Sequence, residues 1–270
     1  MRHLDGAVAE TASAIRARIT MLPSVGVVLG AFEGAFAERL RNAVSIEAAS
    51  LPHMVAAERF VVGSIDDVTV ACLVGRRSLG QGIPAWQLVH GVRVLAHLGI
   101  RAALLAEAAG VVEPTWRVGD VMLVVDHVNL ASHEGLGTLA DGSFTVHPSM
   151  AAAYDPGLAN ELHEVVRTEK LISARLGTGT MVDVMEGVYA NIQDPTYETP
   201  AQITVLRGLG VHAVGASLAL EVTALRQLGI RAAAVTHFVR GGSEGDTTTS
   251  AAQLQKLLRG WVVRAHRLDG

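Results

Sequence analysis

A helix that ends in Leu-Gly and hands over to a short, wholly apolar strand occurs three times in this chain. That repeat constrains the fold more than any other feature. It reads "VRVLAHLGIRAALLAEAAG" at 92–110, "ITVLRGLGVHAVGASLALEV" at 203–222 and "VTALRQLGIRAAAVTHFVRGG" at 222–242. Gly99, Gly210 and Gly229 fall where a helix needs a left-handed residue to stop. The runs that follow, "AALLA", "AVGAS" and "AAAVT", lack the alternation of a half-exposed strand and read as strands covered on both faces. Units of this kind build a central sheet with helices outside. Further strands are expected at 25–29, 60–64, 68–74, 120–125 and 180–188. Helices are expected at 5–19, 34–41, 84–98, 155–170, 199–208, 218–228 and 248–266.

Hydrophobic residues make up 50% of the 270 and charged residues 18%, so a sizeable core is available. With aromatics at only 4%, that core must be filled by Ala, Val, Leu and Ile. No linker, low-complexity tract or charge block divides the chain, which is expected to form one α/β domain over 1–270. A net charge of −4 leaves no basic footprint for nucleic acid. No apolar run reaches the roughly 18 residues of a membrane span, and the N-terminus lacks the apolar segment of a secretion signal. Cys72 is the sole cysteine, which excludes an intrachain disulfide and fits a reducing cytoplasm.

Ligands of open α/β sheets lie at the carboxyl ends of strands. The segments to inspect are therefore 30–34, 75–82, 107–110, 186–189, 216–217 and 236–238. "VVLGAFEGAF" (27–36) is a strand that breaks into a glycine-punctuated turn, a shape that points amides at an anion. It carries Ala31, Phe32 and Glu33 between its glycines, with neither a hydroxyl nor a lysine. "VGRRSLGQG" (74–82) sets Arg76 and Arg77 at a strand end, suited to phosphate or carboxylate, or else to surface ion pairs. "EAAG" (107–110) is a tight turn with bare amides, and Glu186 and Glu198 flank "GVYANIQDPTY", either solvated or in a pocket. His90 and His97 are seven apart on one helix and lack a third ligand, while His133 and His147 fall in a long loop. Neither H-E-x-x-H nor a cysteine pair is present, so no metal site is expected. Serine-hydrolase, P-loop and dinucleotide motifs are likewise missing.

Taken in order, these segments resemble the trimeric purine nucleoside phosphorylases, the group that includes methylthioadenosine phosphorylase. The resemblance runs from about Val25 to His237. It is carried by "VGDVMLVVDHVNL" (118–130), "EGVYANIQDPTYETPAQITVLRGLGVHAVGASLALEV" (186–222) and "LGIRAAAVT" (228–236). It implies a mixed, twisted sheet closing toward a barrel flanked by helices, a homotrimer, and no cofactor, with phosphate as co-substrate. The implied reaction is attack of phosphate on C1′ of a purine nucleoside or analogue, giving free base and ribose 1-phosphate.

Carried over by position, the resemblance puts phosphate on Gly30, Ala31, Arg76, Arg77, Ser78, Ala108 and Ser217. The nucleoside falls to Ala109, Gly110, Tyr189, Tyr197, Glu198, Ala216, Thr236 and His237, with Phe144 the candidate aromatic lent by a neighbouring subunit. Arg76, Glu198 and His237 are the expected catalytic residues. The chain departs from the family in five places, one being Ala216, where the family has a methionine that packs under the ribose. Ala31 replaces a hydroxyl residue, Ser78 a histidine, and Ala56 in "VAAER" the histidine of G-H-A-G-R; His237 stands where asparagine or aspartate reads the base. Each hydrogen bond lost to a charged group costs on the order of 1.5–3 kcal/mol, so phosphate affinity is expected to suffer unless Arg77 or Ser78 compensates. The alternatives are a phosphate-independent nucleosidase and a nucleoside-binding homologue without catalysis.

Overall fold

The structure is a computed structural model that describes residues 2–30, 33–55, 57–131, 148–171, 185–194, 198–241 and 247–268. The chain opens with helix α1 (Arg2–Arg16), then β1 (Val25–Leu29), a 3-10 turn at Glu33–Arg39, β2 (Arg41–Glu47) and a second 3-10 turn at Ala48–Ser50. Strands β3 (Arg59–Ile65) and β4 (Val68–Val74) follow, then a 3-10 turn at Leu79–Gln81, α2 (Ala85–Leu88), α3 (His90–Leu98), β5 (Ala102–Val111) and β6 (Val121–Asn129). The second half holds α4 (Pro156–Thr168), β7 (Met185–Asn191), α5 (Pro200–Gly208), β8 (Ala213–Gly215), α6 (Leu218–Gln227), β9 (Arg231–Arg240) and α7 (Thr247–Leu268).

Among the described residues the strands form one mixed sheet in the order β2-β3-β4-β1-β5-β8-β7-β6-β9, and β9 also pairs with β5. That last pairing closes β5, β8, β7, β6 and β9 into a barrel, from which β1, β4, β3 and β2 extend as a wing. The pivot is β5. Its residues 102–106 pair in parallel with β1 on one edge, while β9 runs along the other edge from Ala102 to Gly110. β1 ends opposite Ala106, and β8 takes up the vacated edge only at Gly110. Residues 107–109 therefore face a gap between two strands, and the ligand-side loops converge on it.

Alternate residues of the parallel strands feed two cores, which is why their sequence shows no polar face. Val28, Leu73, Leu105 and their neighbours pack beneath α1, α3 and α6. Val27, Leu29, Val74 and Leu104 pack beneath α4 and α7, whose Trp261 is fully buried and donates its indole N–H to the Leu158 carbonyl at 2.9 Å. Full burial of one such apolar side chain contributes about 1.5–3 kcal/mol. Gly99, Gly210 and Gly229 have φ of 109°, 76° and 73°, so the three Leu-Gly stops are left-handed as expected.

The expected boundaries need three corrections. Residues 34–41 are not an α-helix: the segment is a 3-10 turn followed by β2, an edge strand that the sequence reading did not include. The expected helix at 84–98 is two helices, interrupted at Val89. The late strand spans 185–191; residues 172–184, including the start of the expected strand at 180, lie outside the described residues. Among the described residues, no helix is long and apolar enough to cross a membrane.

Candidate active site

Four buried carboxylates gather around two arginines where the strand ends meet the β5 gap. They are Glu33 beyond β1, Glu58 before β3, Glu107 on β5 and Glu221 in the first turn of α6. Arg76, just past β4, enters the gap with a side chain only 5% exposed. Its Nη1 donates to the Ala106 carbonyl at 2.7 Å. On its other side Nε donates to Glu221 Oε1 at 3.0 Å, and Nη2 lies 2.9 Å from Oε2. Burial alone would depress this guanidinium, but Glu221, Glu107 and Glu33 more than offset it and hold it above its ordinary value.

Beside it, Arg77 presents its carbonyl to the Ser217 hydroxyl, which donates at 2.5 Å. Ser78 starts the Leu79–Gln81 turn, its amide donating to the Gln81 side chain at 3.2 Å. That turn docks on the segment after β7 through Gly80 N–H to the Gln193 carbonyl at 2.9 Å. Burial pushes the Glu58 carboxyl up to about 8, with Glu221 adding to the effect and Arg77 opposing it. Glu58 is thus a neutral acid at pH 7.

Glu107 ties two expected nucleoside residues together. It accepts from the Tyr189 hydroxyl at 2.7 Å and from the Ala216 amide at 3.3 Å. Burial raises its carboxyl, against the pull of Arg76 and the tyrosine bond. Tyr189 is fully buried, so its hydroxyl buttresses Glu107, and burial beside that carboxylate drives its own proton affinity well up. Gly215 is required here, because any Cβ would strike the Tyr189 ring.

On the base side, Thr199 caps α5 by accepting from the Gln202 amide at 3.3 Å, with Pro200 as the first helical residue. This cap fixes the preceding Glu198, whose side chain is 5% exposed. Both its oxygens are taken by Arg240 at the end of β9, at 2.9 and 2.7 Å. The same guanidinium lies over Gly110, where a Cβ would come within 2.7 Å of it. Ala109 beside Gly110 is buried.

Thr236 and His237 sit on β9 opposite Glu107 and Ala108. The Thr236 hydroxyl is buried without a hydrogen-bond partner among the described residues. His237 Nδ1 lies 3.0 Å from Glu33 Oε1. A Cβ on Gly30 would fall 2.5 Å from Glu33 Oε2, so this glycine leaves room for the carboxylate.

The strand ends thus bring together Gly30, Arg76, Arg77, Ala108, Ala109, Gly110, Tyr189, Glu198, Ala216, Ser217, Thr236 and His237. Ala31, Ala56, Phe144, Tyr197, His133 and His147 lie outside the described residues. Glu186 is apart from this cluster, paired with His163 at 3.0 Å. Glu58, Glu107, Glu221 and Arg240 were not singled out from the sequence. Glu221 closes "VGASLALE" (214–221), inside the 186–222 run that carries the resemblance, a usable signal; Glu58 and Arg240 offered none. No group of three or more metal-ligating side chains occurs among the described residues.

A family profile described as "Phosphorylase superfamily" matches residues 25–267. Purine nucleoside phosphorylase of Rattus norvegicus is 30% identical over 231 residues, covering 82% of this chain and 77% of the rat protein. Purine nucleoside phosphorylase 1 of Bacillus subtilis is 28% identical over 227 residues, 82% of this chain and 80% of its own length. A crystal structure of the Schistosoma mansoni purine nucleoside phosphorylase superposes with a TM-score of 0.79 over 95% of this chain and 96% of its own, at 24% identity, a likeness of fold. The chain belongs to the phosphorylase superfamily, within its purine nucleoside phosphorylase group.

Proposed function

We propose that this protein cleaves the N-glycosidic bond of a purine nucleoside or a close analogue by phosphorolysis, releasing free base and ribose 1-phosphate. The observation that carries this reading is the buried Arg76 guanidinium at the β5 gap, in a chain whose relatives are purine nucleoside phosphorylases. Phosphate would lie against Arg76, Arg77, Ser78, Ser217 and the Ala108 amide. An anion there faces the positive charge that develops on the ribose as the bond to the base stretches, and holding it in place is most of the catalysis. Thr236, His237, Tyr197 and Glu198 would meet the base, with Arg240 holding Glu198 through both its oxygens. A homotrimer in a reducing cytoplasm, with Phe144 lent by a neighbour, completes the proposal.

One observation favours a second reading. Glu221 already pairs with Arg76, and Glu33 stands in the first glycine turn, so negative charge occupies the surroundings in which phosphate would sit. Water as the nucleophile avoids that repulsion. Incubation of the protein with inosine, adenosine and methylthioadenosine, with and without phosphate, decides between them. Base release that requires phosphate supports phosphorolysis, release without it makes the protein a nucleosidase, and no release at any enzyme concentration overturns both.

A further inference from the structure

Two adjoining surface grooves, each of about 370 Å³, run along helix α7 and share Asp66, Lys256 and Arg259. None of the residues gathered at the β5 gap lines either of them. The sequence of α7 explains how the grooves form. Leu254, Leu257, Leu258, Trp261, Val262 and Ala265 are buried in the core, so the helical period turns Lys256, Arg259 and Arg267 outward, where all three are exposed. Gly260 lets α7 close on α4, since a Cβ there would come within 2.7 Å of Val165. Six cations line the two grooves: Arg39, Arg41, Lys256, Arg259, Arg264 and Arg267. They face only two lining carboxylates, Asp66 and Glu169, in a chain whose net charge is −4. Asp66, at the turn between β3 and β4, lies 3.3 Å from Arg41 and 3.2 Å from Arg259 and so holds both guanidiniums in place. Arg264 is engaged by Glu161 at 3.0 Å. Arg39, Lys256 and Arg267 are exposed and have no ion pair among the described residues. From Lys256 to Arg267 the helix rises roughly 16 Å, a line of charge too long for a single phosphate or carboxylate.

We propose that the α7 grooves bind a chain of inorganic polyphosphate. Guanidinium forks match phosphate oxygens, and cations spread along a groove match a ligand whose charge repeats along its length. A nucleic acid fits less well. The one aromatic ring in the lining is Phe36, only 2% exposed, so a base finds no surface on which to stack. An acidic peptide fits less well too, because the helical walls keep their backbone groups to themselves and leave a peptide's N–H and C=O groups without partners. A polyphosphate chain has only oxygens to satisfy. This site is independent of the glycosidic reaction.

Calorimetric titration of the full chain with inorganic polyphosphate, at several salt concentrations, tests the assignment. The wild type should bind saturably. The triple variant Arg39→Gln, Lys256→Gln, Arg267→Gln should weaken binding by about tenfold or more. It should also flatten the slope of log K against log salt by about 2, at about 0.7 per phosphate contact as for single strands. Lys256→Gln alone should flatten it by about 0.7, which keeps the test open if the triple variant fails to fold. A control triple, Arg18→Gln, Arg101→Gln, Arg117→Gln, removes the same charge elsewhere and should stay within about twofold of wild type. Equal weakening by the two triples would show diffuse attraction and overturn the site, as would the absence of wild-type binding. Tighter binding of a single-stranded oligonucleotide or of polyglutamate than of polyphosphate would overturn the ligand assignment. None of these results bears on nucleoside cleavage, which is assayed separately.

Discussion

Replacing Glu58 with glutamine isolates the cost of crowding carboxylates into one site. The folded protein holds the Glu58 carboxyl protonated up to about pH 8, whereas an unfolded chain releases that proton near its ordinary 4.5. Because the folded value is the higher one, the contribution of this group to stability is fully present below pH 4.5 and drains away as pH rises toward 8. Each pH unit in that window is worth about 1.4 kcal/mol. The wild type therefore forfeits about 3 kcal/mol by pH 7 and about 5 kcal/mol above pH 8. Glutamine keeps the size and polarity of the neutral acid but cannot ionise. Glu58→Gln should match the wild type at pH 4.5 and then pull ahead by those amounts. Urea unfolding followed through the buried Trp261 at pH 5, 6, 7 and 8 measures the difference. Parallel stability profiles across that range would refute the reasoning, since they would mean that Glu58 carries the same charge in folded and unfolded chains.

Two further perturbations test the neighbouring groups. Arg76→Met leaves Glu221 buried without its partner and should cost about 3–5 kcal/mol, most of it recovered by the double substitution Arg76→Met with Glu221→Leu; urea midpoints that show less than about 1 kcal/mol for the single change would contradict the buried pairing. His90 is buried on α3 with Thr11 Oγ1 3.0 Å from its Nε2, and burial, helped by His53, Arg93 and His97, depresses its imidazole to about 4. The unfolded chain takes up that proton below about 6.5 and the folded chain refuses it, so this group removes about 3 kcal/mol of stability as pH falls from 6.5 to 4. His90→Gln should abolish that loss, which is read as the variant-minus-wild-type difference because Glu58 imposes the opposite slope over part of the range.

The sheet was legible because its inner strands are buried on both faces, which writes an unbroken apolar run into the sequence, and because each Leu-Gly stop requires a left-handed residue. Strand β2 was illegible for the converse reason. "RNAVSIE" has a single buried residue, Ile46, and is a strand only because β3 supplies its hydrogen bonds. The helix expected at 34–41 is a 3-10 turn at 33–39, too short to propagate as an α-helix, and it gives way to β2. Pairing across the chain was beyond reach as well: Arg240 meets Glu198 from 42 positions away, and neither residue type nor spacing announces it.

The anion site shows the sharper limit. Position by position, the sequence registers what is missing, namely a hydroxyl at Ala31 and histidines at Ala56 and Ser78, and each absence looks like a weakened phosphate contact. It does not register what arrives from elsewhere. Glu33 is two positions beyond the missing hydroxyl and Glu58 two beyond the missing histidine, and both turn out to be buried beside Arg76, Arg77 and Glu221. Donors have been lost and acceptors gained in the same two turns, one acceptor kept neutral by burial and the other set against an imidazole. A decaying site would accumulate losses without enclosing new carboxylates, because an unpaired buried charge is penalised by several kcal/mol whether or not the protein is active. Gly30 makes room for one of these acids, and the other must hold a proton to stay.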